Sequence, residues 1–183
     1  MRALLKSLTA SLLLFLSACA GMQPEDFAGT SPELRIEDYF QGRTLAYGIF
    51  EDRFGKLRRE FKVVIDGTYD GQELVLDEDF FYKDGERSKR VWRIVKTGAN
   101  SYEGRAGDVI GVAEGKAYGN ALKWEYLLNL KVGDDTWKVG FDDWMYLQDD
   151  KVLVNRATVR RFGIVLGTIS ITFVKADEAS LNS

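Results

Sequence analysis

The sequence has no histidine, one cysteine and two prolines among 183 residues. Each scarcity removes chemistry. Without histidine there is no Ser-His-Asp triad, no Cys-His dyad, and no imidazole-held zinc, haem or non-haem iron. A single cysteine cannot close an intrachain disulfide or build a thiolate cluster. No metal, cofactor or catalytic residue is expected. Positive charge is not in excess either: 25 basic residues face 28 acidic ones, a formal net charge of -3, which argues against nucleic acid as a partner. What is present is a globular composition, 45% hydrophobic and 13% aromatic. That is enough for one hydrophobic core and short for two domains.

The lone cysteine has a telling position. Arg2 and Lys6 precede an apolar run of residues 12–16, too short to span a bilayer and laid out like a secretory signal. Leu16-Ser17-Ala18-Cys19 then resembles a bacterial lipobox. That resemblance implies cleavage before Cys19, acylation of Cys19 and a stable membrane anchor, since several acyl chains hold where one does not. Ala20, in place of aspartate, implies sorting to the outer membrane, facing the periplasm. The expected organisation is a signal peptide at 1–18, the lipidated cysteine and a flexible tether at 19–33, one β domain at 34–176, and a disordered tail at 177–183. The tether reading rests on both prolines and on weak apolar periodicity.

From residue 43 onward the punctuation is Gly and Asp-Gly, and the intervening runs are rich in Val, Ile, Phe, Tyr and Trp. Nine strands are expected, at 43–53, 58–69, 73–83, 89–97, 101–118, 121–132, 136–147, 152–161 and 163–174, with a short helix around 34–40. Asp66-Gly67, Asp70-Gly71 and Asp84-Gly85 read as hairpin turns. The expected fold class is all-β: an antiparallel up-and-down barrel, lipocalin-like, which closes its own edges and has room for one small ligand. A two-sheet β-sandwich is the alternative.

Alternation assigns faces. Trp137, Val139, Phe141, Asp143, Met145 and Leu147 share one face, so Asp143 stands alone among large apolar groups. Such a carboxyl must be paired, hydrogen-bonded or protonated. It is either a ligand-anchoring or general-acid group, or a structural aspartate of the kind common outside active sites. Leu74, Leu76, Glu78, Phe80 and Tyr82 form a similar face with Glu78 as its odd member. Glu78-Asp79-Phe80-Phe81-Tyr82 and Asp142-Asp143-Trp144-Met145-Tyr146 also share the pattern acid-acid-aromatic-x-Tyr. Each is followed by basic residues in the next strand, Arg90 or Arg93 and Arg156 or Arg160. The match aligns Asp79 with Asp143, whereas alternation selects Glu78; either a bulge shifts the phase or one reading is wrong.

Gly107, Gly111, Gly115 and Gly119 recur at every fourth position. In an extended chain they share a face with Val109, Ala113, Ala117 and Ala121 that is almost bare of side chains. Glycine weakens a strand, so the bare face points to a spatial constraint: an inward void for a ligand, a bend in the wall, or an element packed flat upon it.

Tyr39-Phe40-x-Gly42, Leu76-Asp77-Glu78-Asp79-Phe80, Arg90-Val91-Trp92, Asp108-Val109-x-Gly111, Gly119-Asn120-Ala121, Asn155-Arg156 and above all Asp142-Asp143-Trp144-Met145-Tyr146 resemble an uncharacterised family of proteobacterial lipoproteins, a domain of unknown function. The resemblance implies a single-domain, lipid-anchored envelope protein and carries over no catalytic residue. Together these readings lead to a barrel that binds a hydrophobic molecule such as a fatty acid or phospholipid. Asp143, Arg90, Arg156, Trp144, Tyr146, Gly111 and Gly115 are the expected ligand-binding residues and the membrane is a partner through Cys19. A partner-docking envelope protein with a filled interior, and an enzyme using Asp79, Asp142 and Asp143 as acid and base, are the alternatives.

Overall fold

Period-two alternation sends every second side chain of each strand to the same side, and here the sheet so formed closes on itself. The computed structural model describes residues 21–176. Cys19, the expected signal peptide and the expected tail at 177–183 lie outside the described residues. The strands are β1 (Gly42–Asp52), β2 (Leu57–Tyr69), β3 (Glu73–Tyr82), β4 (Arg87–Lys96), β5 (Ser101–Arg105), β6 (Val109–Tyr118), β7 (Ala121–Val132), β8 (Asp135–Leu147), β9 (Val152–Arg161) and β10 (Ile164–Lys175). Each pairs antiparallel with its neighbours in sequence, and β1 pairs with β10 from Thr44↔Lys175 to Asp52↔Gly167. That last pairing leaves no free edge. It makes the fold the expected lipocalin-like barrel and excludes the sandwich.

Two local expectations need correction. The strand expected at 101–118 is two strands, because the chain turns at 106–108 between β5 and β6. Asp66-Gly67 is no turn: both residues lie within β2, opposite Asp77 and Leu76. A Cβ on Gly67 would overlap the carbonyl oxygen of Phe40. This glycine therefore serves a close approach, which sequence reading cannot distinguish from a turn.

The element approaching there closes one end of the barrel. Leu34, Ile36, Tyr39 and Phe40, around the short helix Ile36–Tyr39, are buried in the main core. Phe40 meets Phe173 edge-on with ring centroids 5.5 Å apart. The Tyr39 hydroxyl donates to the Lys151 carbonyl at 3.0 Å. Glu37 fixes the plug to the wall, accepting from Lys96 Nζ at 2.9 Å and from the Tyr102 hydroxyl at 2.8 Å. Burial pushes the Glu37 carboxyl up, but these donors outweigh it and hold the group below its ordinary range.

The segment expected to be a flexible tether is, from Gly21 onward, laid against the outside of the barrel. Pro24–Phe27 is a 3-10 turn, and the Phe27 ring packs on Trp144 and Tyr146 at 5.9 and 5.6 Å. The Asn120 backbone N–H donates to Thr30 Oγ1 at 3.0 Å. All these contacts lie at the plugged end, where β6, β7 and β8 meet their connecting turns.

Candidate functional site

The inward faces enclose a cavity of about 480 Å³, within the range of small-molecule sites. It begins at Ile36 and Phe40 of the plug and ends among Arg58, Arg59, Lys131 and Val132 at the opposite end of the barrel. Its wall is mostly aliphatic and aromatic, and one polar cluster interrupts it.

Strand register builds that cluster. Glu78 of β3 stands opposite Arg90 of β4; Asp143 of β8 stands opposite Trp124 of β7 and Ala157 of β9. Opposed residues share a face, so Glu78 and Arg90 both line the cavity, as does Asp143. Asp143 is buried, and Asn155 Nδ2 donates to its Oδ1 while also reaching the Trp144 carbonyl at 3.1 Å. Burial pushes the Asp143 carboxyl up to about 7, and the charge of Asp142 adds to this. Hydrogen bonds from Asn155 and Tyr126 and the charge of Arg90 oppose it. Tyr126 stacks on Phe141 at 4.8 Å and meets Trp92 edge-on at 5.5 Å.

Glu78 is 8% exposed, and its Oε2 has no hydrogen-bond partner among the described residues. Burial pushes this carboxyl up to about 7 as well, against the pull of Arg90 and with repulsion from Asp108 and Asp77. Arg90 is engaged elsewhere: its Nε and Nη2 donate to Asp108 Oδ2 at 3.1 and 2.6 Å. The cluster thus holds three acids, Glu78, Asp108 and Asp143, and one base whose hydrogen bonds go to one of them.

The other expected binding residues stand elsewhere. Arg156 is exposed on the outer face of β9. Trp144 and Tyr146 lie on the outer wall, stacked on one another at 6.0 Å and covered by Phe27. Gly111 is exposed, with φ 78°, where the β6–β7 register shifts. Gly115 does face inward, but no void lies beside it: the Trp124 indole occupies the space a Cβ would take. The glycine repeat dissolves into separate local reasons. Gly107 lies within the turn between β5 and β6, and Gly119 lets the Phe27 carbonyl approach the wall. The three acids of the enzymatic alternative do not converge: Asp79 is on the outer face with Lys89 Nζ 2.9 Å away, and Asp142 lies 4.0 Å from Lys123. The hairpin match therefore aligned an outward acid with an inward one, and alternation had the correct phase.

Tyr126, Asn155 and Asp108 were not anticipated in the site, and Glu78 was noticed only as an anomaly. Asn155 carried the same signal as Asp143, a lone polar residue on a face with Leu153, Ala157 and Val159. Asp108 had no such signal, since a turn hides its direction.

Residues 13–175 match the model of a family described as "Protein of unknown function (DUF3833)". The chain belongs to this family. No curated protein matches it. Among solved structures, this chain's barrel resembles an S-type phycobiliprotein lyase from Guillardia theta. That match has a TM-score of 0.58 and 11% identity, covering 79% of this chain and 94% of the other. At that identity the likeness shows a shared fold and nothing of shared chemistry.

Proposed function

We propose that this protein is an envelope lipoprotein whose barrel carries one hydrophobic molecule. The observation behind this reading is the largely apolar cavity, which reaches from the plug to the far end of the barrel with a single polar cluster in its wall. Large apolar pockets with a few convergent polar groups are the usual form of a small-molecule site. The S-type phycobiliprotein lyase offers a precedent for the shape alone.

The anchor adds an orientation. Met22 lies at the plugged end, where its sulfur accepts from the Tyr146 hydroxyl at 3.9 Å. Cys19 is three residues earlier, a reach of about 10 Å in extended chain. A lipid on Cys19 therefore holds the closed end against the outer membrane and turns the mouth, with Arg58, Arg59 and Lys131, into the periplasm. Cargo would enter and leave through the aqueous side.

Two experiments test the two halves of the proposal. Native mass spectrometry of the full chain carrying Cys19→Ser, purified from its own cells, is expected to show a co-purifying mass that disappears on organic extraction. A protein that is empty, and stays empty after incubation with the organism's lipid extract, overturns the carrier reading. Cell fractionation is expected to move the Cys19→Ser protein from membrane to soluble fractions. Unchanged membrane association overturns the anchor.

A further inference from the structure

The polar cluster is built for one sign of charge. Arg58, Arg59 and Lys131 stand at the mouth of the cavity, so an anionic head seated at the cluster itself, such as a free carboxylate, would need Arg90. That guanidinium already donates twice to Asp108 Oδ2, and an approaching anion would also meet Glu78 and Asp143. The acids face the opposite situation. Among the described residues, Glu78 presents a buried oxygen without a donor, and Asp143 accepts from the neutral donors Asn155 and Tyr126, with the Arg90 charge acting on it without a hydrogen bond between them. A buried acceptor without a donor is rare because it is costly. In a cavity of this size the missing donor is most simply part of the cargo.

We infer that the cavity takes an apolar molecule carrying a protonated amine, with the amine donating to Glu78 and its charge balanced by Glu78 and Asp143. This rests on the carrier reading and narrows it: the cluster takes an ammonium head and not a carboxylate. The charged and titratable groups around the amine are Glu78 with neighbouring Asp77 on β3, Arg90 on β4, Asp108 in the turn before β6, Tyr126 on β7, and Asp143 with neighbouring Asp142 on β8. Only Arg90 among them is a cation, and Asp108 balances it. Binding an ammonium favours the ionised acids. Both acids sit near 7 without cargo, so affinity rises with pH until they are ionised and then levels off, by up to tenfold per pH unit for one proton released. A simple alkylamine keeps its own charge across this range, as a lysine side chain does.

The test uses one tail and three heads. Calorimetric titration of the Cys19→Ser full chain, stripped of cargo, compares dodecylamine, dodecanol and dodecanoate below and above neutrality. Dodecylamine is expected to bind about ten- to a hundredfold more tightly than dodecanol, in line with a hydrogen bond to a charged group, and dodecanoate more weakly than both. Glu78→Gln is expected to remove most of the amine's advantage while leaving dodecanol unaffected, which also shows that the variant is folded. Dodecanoate binding as tightly as the amine overturns the inference, and so does dodecanol doing so; both leave the carrier reading intact. Failure of all three to bind removes the carrier reading itself. Lysophosphatidylethanolamine separates the sources: binding like dodecylamine marks an aminophospholipid, and exclusion marks a simple lipophilic amine.

Discussion

Free of any ligand and melted at about pH 8, the protein carrying both Glu78→Gln and Asp143→Asn is expected to be more stable than the wild type by several kcal/mol. In a chain of this size that is roughly ten degrees in Tm. At about pH 4 the two proteins are expected to melt close together. The sign follows from linkage. In the unfolded chain the two acids ionise near their ordinary values of 4.5 and 3.8, whereas burial holds both up to about 7 in the barrel. Below the lower pair of values both states carry the protons and the acids do no harm. As pH rises through the unfolded values the unfolded chain releases protons first, and stability falls. The fall ends once pH passes about 7, where the folded acids ionise too. An amide fills nearly the same volume and never ionises, so the double variant escapes this loss. Other carboxyls slope the opposite way. Arg43 and its hydrogen bonds to Asp66 hold that group below its ordinary range, and Glu37 is also held low. The difference between variant and wild type cancels those contributions. A difference that does not change with pH would mean that the two acids are not held protonated inside the barrel.

This instability is itself informative about function. An empty barrel with two buried acids near neutrality is less stable than it need be, and a bound amine would restore what is lost by supplying the missing donor and counter-charge. Stability–function trade-offs of this kind concentrate at binding sites.

The residues also show what was legible in advance. Strand alternation is a local, period-two property, so it found the inward faces of β3 and β8 and with them Glu78 and Asp143. The closed barrel followed from many short apolar runs separated by turn residues. What stayed hidden was anything set by a partner distant in sequence. Trp144 and Tyr146 looked like site residues because large aromatics are often found at sites. They are covered by Phe27, over a hundred residues earlier in the chain, and nothing near them in sequence reveals that. Arg90 and Arg156 looked equivalent as basic residues following acidic hairpins. One lies on an inward face and the other outward, a difference of a single residue in phase. The fourfold glycine repeat suggested one surface, yet a turn, a register shift, an indole and a carbonyl each account for one glycine.

The indole sets the last expectation. Gly115→Ala is expected to destabilise the protein by about 3 kcal/mol, the upper part of the usual range for overpacking a core, and to reduce cargo loading with it. Trp124 has almost no freedom. It is buried, stands opposite Gly115, and meets Trp92 nearly edge-on at 6.0 Å. A Cβ on Gly104 of β5 would come within 2.5 Å of the same indole, so two strands supply a floor of glycine beneath one ring. A methyl group at Gly115 overlaps that ring, and the wall behind is backbone. The ring can yield only inward, and Trp124 already lines the cavity, so the volume it gains is taken from the cavity. Trp124→Leu alone leaves a hole and is expected to destabilise by a similar amount. Combined, the two substitutions are expected to recover part of the loss, because the shorter side chain makes room for the methyl. Coupling of that kind is what residues in direct contact show in a double-mutant cycle. Thermal melts give the stability terms, and native mass spectrometry gives the loaded fraction of each variant. Additive losses would mean that the glycine floor does not position Trp124. Full loading in Gly115→Ala would mean that the ring does not bound the cargo.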